Sequence, residues 1–172
     1  QPDLIQDIKT ILQETELERS FLELEITESV IMENAEYAAE MLSQLRDLRV
    51  QINVDDFGTG YSSVSYLHRF PVNNLKIDQS FVSRIGIDEE NSEIISTILT
   101  LARNLGMDVI AEGVETKEQL YHLQALGCEQ GQGYYFSVPV DNESAGALIE
   151  TMGAIVGPGP LLLPGRRVRK KK

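Results

Sequence analysis

The chain is 172 residues long, 42% hydrophobic and 24% charged, a size that suits one domain with a buried core. Its formal charge of −12 is unevenly spread, because Arg166, Arg167, Arg169, Lys170, Lys171 and Lys172 crowd the last seven positions and leave residues 1–165 with a net of −18. A body that acidic repels nucleic-acid polymers unless cations intervene, and no run approaches the ~18–20 apolar residues of a membrane span.

In chain order, Leu4, Ile5, Ile8, Ile11 and Leu12 fall on one helical face. Phe21–Ile26 reads as a first strand closed by Glu25, and Ala35–Leu48 as a helix with Ala38, Leu42 and Leu45 inward. Val50–Asp55 is a second strand, broken by Gly58 and Gly60, with a short helix across Ser62–Phe70. Asn74–Asp78 is a third strand, with Gln79 and Ser80 opening a loop, and Asn91–Leu105 is a long helix capped by Gly106. Met107–Glu112 is a fourth strand; Thr116–Glu118 starts a helix that Gly127 stops; a weak fifth strand spans Glu129–Gly133, and a last helix spans Asn142–Met152. Successive β-then-α units imply parallel strands with crossover helices, in a doubly wound sheet or a (β/α) barrel. Five strands fall short of the eight that a barrel of ~250 residues needs, so a barrel would be incomplete here. Residues 1–152 form the expected domain, and the Gly/Pro-rich, then basic stretch 153–172 is an expected disordered tail. The opening Gln1, in place of Met, predicts that the parent protein begins further upstream. Cys128 is the sole cysteine, which precludes an internal disulfide and fits a reducing, cytoplasmic setting; no basic residue adjoins it, so it reads as a core thiol.

The polar residues cluster at strand ends: Glu25 on the first strand, Asp55 and Asp56 on the second, Asp78 on the third and Glu112 on the fourth. The C-terminal strand ends form the functional face of parallel α/β proteins. Carboxylates meeting there repel one another, so they ask for hard cations such as Mg²⁺ or Mn²⁺. Lys76 precedes Asp78 by two and shares its side of the strand; it can orient a water or steady charge on a phosphate. A lone acid at a strand end is ordinarily a cap or a solvated loop residue, and Asp78 fits that description. His68 and His122 read as surface or packing residues. Tyr134, Tyr135 and Phe136 could stack on a base, though a buried strand end explains them equally well.

Five blocks in order then carry a family resemblance: Leu24–Ser29 (LEITES), Asp55–Leu67 (DDFGTGYSSVSYL), Leu75–Asp78 (LKID), Ala111–Glu115 (AEGVE) and Gln132–Tyr134 (QGY). Together they resemble the signature blocks of EAL-domain cyclic di-GMP phosphodiesterases, over roughly residues 1–150. The resemblance implies a modified TIM (β/α) barrel, a homodimer formed through the loop after Asp56, and hydrolysis of cyclic di-GMP to linear pGpG at a two-metal Mg²⁺ or Mn²⁺ site. It makes Glu25, Asp55, Asp56 and Glu112 metal ligands, with Glu112, Lys76 and Asp56 catalytic. Glu28 is similar to the residue that pins the loop after Asp55 and Asp56; Glu115 and Gln132 resemble supporting residues, and Asp78 and Gln132 substrate contacts. A sensor or GGDEF domain upstream is a further expectation. The Glu-Ala-Leu motif, its arginine and the next strand's asparagine do not occur, so the resemblance is to the C-terminal two-thirds of the domain. It implies a fragment that binds metal poorly alone and an active parent. The rival readings are a non-catalytic cyclic di-GMP receptor and an enolase-like barrel enzyme.

Overall fold

The computed structural model describes residues 3–60, 64–87 and 89–155. Tyr61, Ser62 and Ser63 of the glycine loop, and residues 156–172 of the expected tail, lie outside the described residues. The chain falls into two compact units: Gln1–Asp78 with Thr100–Asp108, and Gln79–Leu99 with Val109–Lys172.

The first unit opens with α1 (Leu4–Thr15), which buries Ile8 and Leu12, one turn apart. Ile11 sits off that stripe and is exposed, contrary to the expected face. Phe21 belongs to an exposed 3-10 turn, Arg19–Phe21, so β1 starts later than expected and spans Glu23–Thr27. Glu25 therefore lies inside the strand, two residues short of its end. A short helix, α2 (Glu28–Glu33), follows where the sequence suggested none. It is too short to show helical periodicity. Asn34 caps α3 (Ala35–Asp47), its Oδ1 accepting from the Tyr37 N–H at 3.1 Å, and Ala38, Leu42 and Leu45 are buried as expected.

β2 runs Gln51–Phe57, past the expected stop at Asp55, and among the described residues α4 spans Val64–Leu67, ending short of the expected Phe70. β3 is Asn74–Ile77, and Asp78 follows directly. β1 and β2 pair in parallel from Glu23↔Gln51 to Thr27↔Asp55. β2 and β3 are also parallel, with Asn53↔Asn74 and Val54↔Leu75 in register, then a shift to Phe57↔Ile77. Asp55 and Asp56 together thus lie opposite Lys76, which is the two-against-one count of a β-bulge. Ile52, Val54, Leu75 and Ile77 are fully buried, as expected of strands covered on both faces.

In the second unit a short helix, α5 (Gln79–Val82), replaces the loop expected at Gln79 and Ser80. The long helix α6 (Glu89–Leu105) buries Asn91, Ile95, Ile98, Leu99 and Ala102, and its last residues, Thr100–Leu105, belong to the first unit. β4 is Asp108–Ala111 and pairs in parallel with β5, Gln130–Gly131, through Ile110↔Gln130 and Ala111↔Gly131. Between them α7 (Lys117–Leu126) carries a capping box in which Thr116 Oγ1 accepts from the Gln119 N–H, and Gly127 ends it, both where expected. α8 (Asn142–Ile155) extends three residues beyond the expected stop. No described helix is long and apolar enough to cross a membrane.

Candidate active site

The first unit assembles a charged rim from three neighbouring strands. The Lys76 side chain is almost fully buried, and its Nζ lies 2.7 Å from Glu25 Oε1 and 3.2 Å from Asp55 Oδ1. Glu25 is half exposed and Asp55 about a quarter exposed, so the pair of carboxylates faces outward while the ammonium sits beneath them. A buried lysine without such partners would face a desolvation cost of several kcal/mol; the two carboxylates offset it.

Asp56 completes this rim through an unusual backbone. Consecutive strand residues point to opposite faces, yet Asp56 takes φ 54, in the left-handed region that Asp tolerates better than most residues. Its carboxyl is exposed but held above its ordinary value: partial desolvation contributes most, then the Asp55 and Asp78 charges, with Lys76 opposing them. The Asp78 and Lys76 charges thus act on Asp56 in opposite directions.

The following loop is anchored by Glu28, the first residue of α2, which is buried to 1% exposure. Its Oε2 accepts from the Gly58 N–H at 2.8 Å. A Cβ at Gly60 would lie 2.8 Å from Glu28 Oε1, so a side chain at that position would push against the anchor.

The second unit carries Glu112 immediately after β4, where Gln132 Nε2 donates to its Oε1 at 2.7 Å. Gln132 is itself fixed by its backbone: its N–H donates to Ala111 O at 2.8 Å, and its carbonyl accepts from Val114 N at 3.0 Å. Gly133 allows this closeness, since a Cβ there would fall 2.3 Å from Val114 N and O. Glu115 is exposed, and its backbone N–H donates to Gln119 Oε1 at 2.8 Å. Tyr134 and Tyr135 are exposed in a turn after β5, which removes the buried-strand explanation for them. His68 is exposed; His122 is half-buried, and its Nε2 has no hydrogen-bond partner among the described residues. Cys128 is buried, its Sγ 3.3 Å from Gln130 O, and burial pushes the thiol up to about 11.

One polar group escaped the sequence reading. Asn53, 1% exposed, joins Glu23 on β1 to Asn74 on β3. The signal was its spacing, two residues before Asp55 on the same face.

The EAL domain family model matches residues 1–139. Among curated relatives, the cyclic di-GMP phosphodiesterase NbdA of Pseudomonas aeruginosa is 43% identical over 137 residues, covering 80% of this chain and 18% of the relative. MucR of the same organism, a bifunctional diguanylate cyclase/cyclic di-GMP phosphodiesterase, is 41% identical over 81% of this chain and 20% of its own length. The chain thus spans about a fifth of these relatives. Among solved structures, the PaMucR phosphodiesterase in complex with c-di-GMP superposes with a TM-score of 0.81 at 40% identity, over 83% of this chain and 58% of that one. BlrP1 of Klebsiella pneumoniae, with manganese and cyclic di-GMP, gives 0.75 at 32%, over 81% of this chain and 36% of that one. The fold is thus the family's TIM-barrel-like α/β architecture, present in part. From the five sequence blocks to the matching structures, the observations agree: this chain belongs to the EAL domain family.

Proposed function

We propose that this chain is part of a metal-dependent cyclic di-GMP phosphodiesterase that releases linear pGpG. The observation that carries the reading is the buried Lys76 ammonium held by Glu25 and Asp55, with the Asp56 carboxylate close to that of Asp55, in a chain whose relatives include named cyclic di-GMP phosphodiesterases.

The donor set suits a hard divalent cation. Glu25, Asp55 and Asp56 offer carboxylate oxygens, the ligand type that Mg²⁺ and Mn²⁺ prefer. Desolvation first, and then the Asp55 and Asp78 charges, hold the Asp56 carboxyl up, and a cation beside it would oppose the charge part of that effect. Glu25, Asp55, Asp56 and Glu112 would hold the cations; bound there, a pair of them supplies Lewis-acid charge and acidifies a water.

The chain's own groups do the rest. Lys76 donates hydrogen bonds to the phosphate oxygens or the attacking water, from a position its two ion pairs fix in advance. Glu112 takes the proton from that water as general base, with its carboxylate oriented by the Gln132 amide. Asp78 and Gln132 contact the nucleotide, and Glu28 keeps the loop after Asp56 in place. Glu115 supports the turn before α7. The same reading includes dimerisation through the loop after Asp56 and a sensor or GGDEF domain elsewhere in the parent, the latter in keeping with the bifunctional name of MucR.

Glu112→Gln tests the assignment, since it keeps the volume and removes the base. Hydrolysis of cyclic di-GMP is expected to fall at least about 10²-fold, within the range for a lost general base, with nucleotide binding retained. Turnover within a few-fold of the parent would remove Glu112 from the chemistry. A parent protein that binds cyclic di-GMP without releasing pGpG would instead be a receptor.

A further inference from the structure

Beneath the Glu25–Lys76–Asp55 layer lies a second polar layer, made of the residues two positions earlier on the same three strands. Asn53 Nδ2 donates to Glu23 Oε2 at 3.1 Å, and Asn53 Oδ1 accepts from Asn74 Nδ2 at 2.7 Å. Glu23 precedes Glu25, Asn53 precedes Asp55 and Asn74 precedes Lys76, each by two residues and so on the same face. The order of donors is fixed by chemistry. An ionised Glu23 can only accept, so the Asn53 amide must turn its NH₂ toward β1 and its oxygen toward β3.

The position of this layer matters more than its polarity. Asn53↔Asn74 and Val54↔Leu75 are the last regular pairs between β2 and β3 before the register shifts. Beyond them Asp55 and Asp56 lie in the bulge, with Asp56 at φ 54. On its β3 side the backbone that carries both carboxylates therefore lacks a regular ladder, while Asp55 still pairs with Thr27 of β1, and Asn53, at 1% exposure, ties its upstream end to both neighbouring strands. A buried amide with both ends bonded is costly to displace.

We propose that Asn53 is a positioning residue: by clamping β1, β2 and β3 together just before the bulge, it sets where the Asp55 and Asp56 carboxylates stand and thereby tunes the divalent-cation affinity of the site. The inference rests on the phosphodiesterase reading above for the identity of the site.

The test uses the full-length protein that contains this chain and reads Mn²⁺ binding without nucleotide, by the loss of the free-ion electron paramagnetic resonance signal, beside melting temperature and steady-state turnover. Asn53→Leu is expected to weaken Mn²⁺ binding about tenfold, the lower end for loss of a supporting hydrogen-bond partner around a metal. Turnover at saturating Mn²⁺ should then return to within about threefold of the parent, because tuned affinity leaves kcat nearly intact. Asn53→Asp sets two carboxylates against each other and should weaken binding at least as much. Adding Glu23→Gln to it supplies a donor toward the new acid and should restore Mn²⁺ affinity to within about threefold. If Asn53→Leu fails to fold, Glu23→Ala removes the acceptor from an exposed position and should weaken Mn²⁺ binding in the same direction.

An unchanged Mn²⁺ affinity in Asn53→Leu, or in Glu23→Ala if that variant must stand in, overturns the inference even with a lowered melting temperature, since Asn53 would then be only a strand staple. Failure of the double variant to recover overturns it as well. A parent protein that neither binds Mn²⁺ nor hydrolyses cyclic di-GMP contradicts the phosphodiesterase reading itself, and this inference falls with it. A parent that does both, with variants that match it, sinks the inference alone.

Discussion

Lys76 is where sequence and chemistry meet most directly. Its spacing from Asp78 placed it on the functional side of β3, but its burial and its bonds to Glu25 and Asp55 needed coordinates. Lys76→Ala leaves two carboxylates facing each other and removes the donor proposed for the phosphate. The expected result is a loss of roughly 10²-fold or more in kcat, as for other preorganised donors; a loss below tenfold would make Lys76 a structural counter-ion. Cys128 was legible as a core thiol because nothing basic adjoined it in sequence, and it is buried against Gln130 O. Its thiol is pushed up from 9.0 to about 11, so the unfolded chain ionises first as pH rises. Stability should therefore decline between pH 9 and about 11, by roughly 2–3 kcal/mol at ~1.4 kcal/mol per pH unit. Urea unfolding at pH 8, 10 and 11 checks this, and Cys128→Ala should remove that part of the slope; an identical slope in the variant would assign it to other groups.

Long periodic elements were the most legible. α3, α6 and α7 appear near their expected bounds because apolar residues recur at helical spacing and Thr116, Gly106 and Gly127 mark ends of α6 and α7. The short elements were not: α2 and α5 hold too few turns to show a period, and β5 reduces to Gln130–Gly131. The bulge at Asp55 and Asp56 was also hidden, because alternation alone sends neighbouring residues to opposite faces, and only the register against β3 reveals the extra residue. Gly133 illustrates how an element can constrain chemistry. With φ 154 and Val114 backbone atoms 2.3 Å from any added Cβ, it lets Gln132 bond to both Ala111 and Val114. Gly133→Ala should cost about 1–3 kcal/mol through overpacking and release Gln132 from Glu112, so turnover should drop more than nucleotide affinity. Equal stability and full activity would show that the loop has room to relax.

At the scale of the whole chain, the sequence blocks pointed to the family, and the parallel pairings β1–β2–β3 and β4–β5 agree with the βα alternation read from the sequence. What the linear pattern could not convey is that the rim is layered. A rank of amides and carboxylate at Glu23, Asn53 and Asn74 underlies the charged rank at Glu25, Asp55 and Lys76. Such layering depends on which residues of separate strands stand side by side, a property of register. The proposed role of these acids is to serve divalent cations in phosphodiester hydrolysis. Its most direct test is to incubate the full-length protein with cyclic di-GMP and resolve the products with Mn²⁺, with Mg²⁺ and with excess chelator. Accumulation of pGpG that requires the cation and stops on chelation is the predicted result; cyclic di-GMP left intact with either cation, or cleaved equally well in chelator, would contradict it.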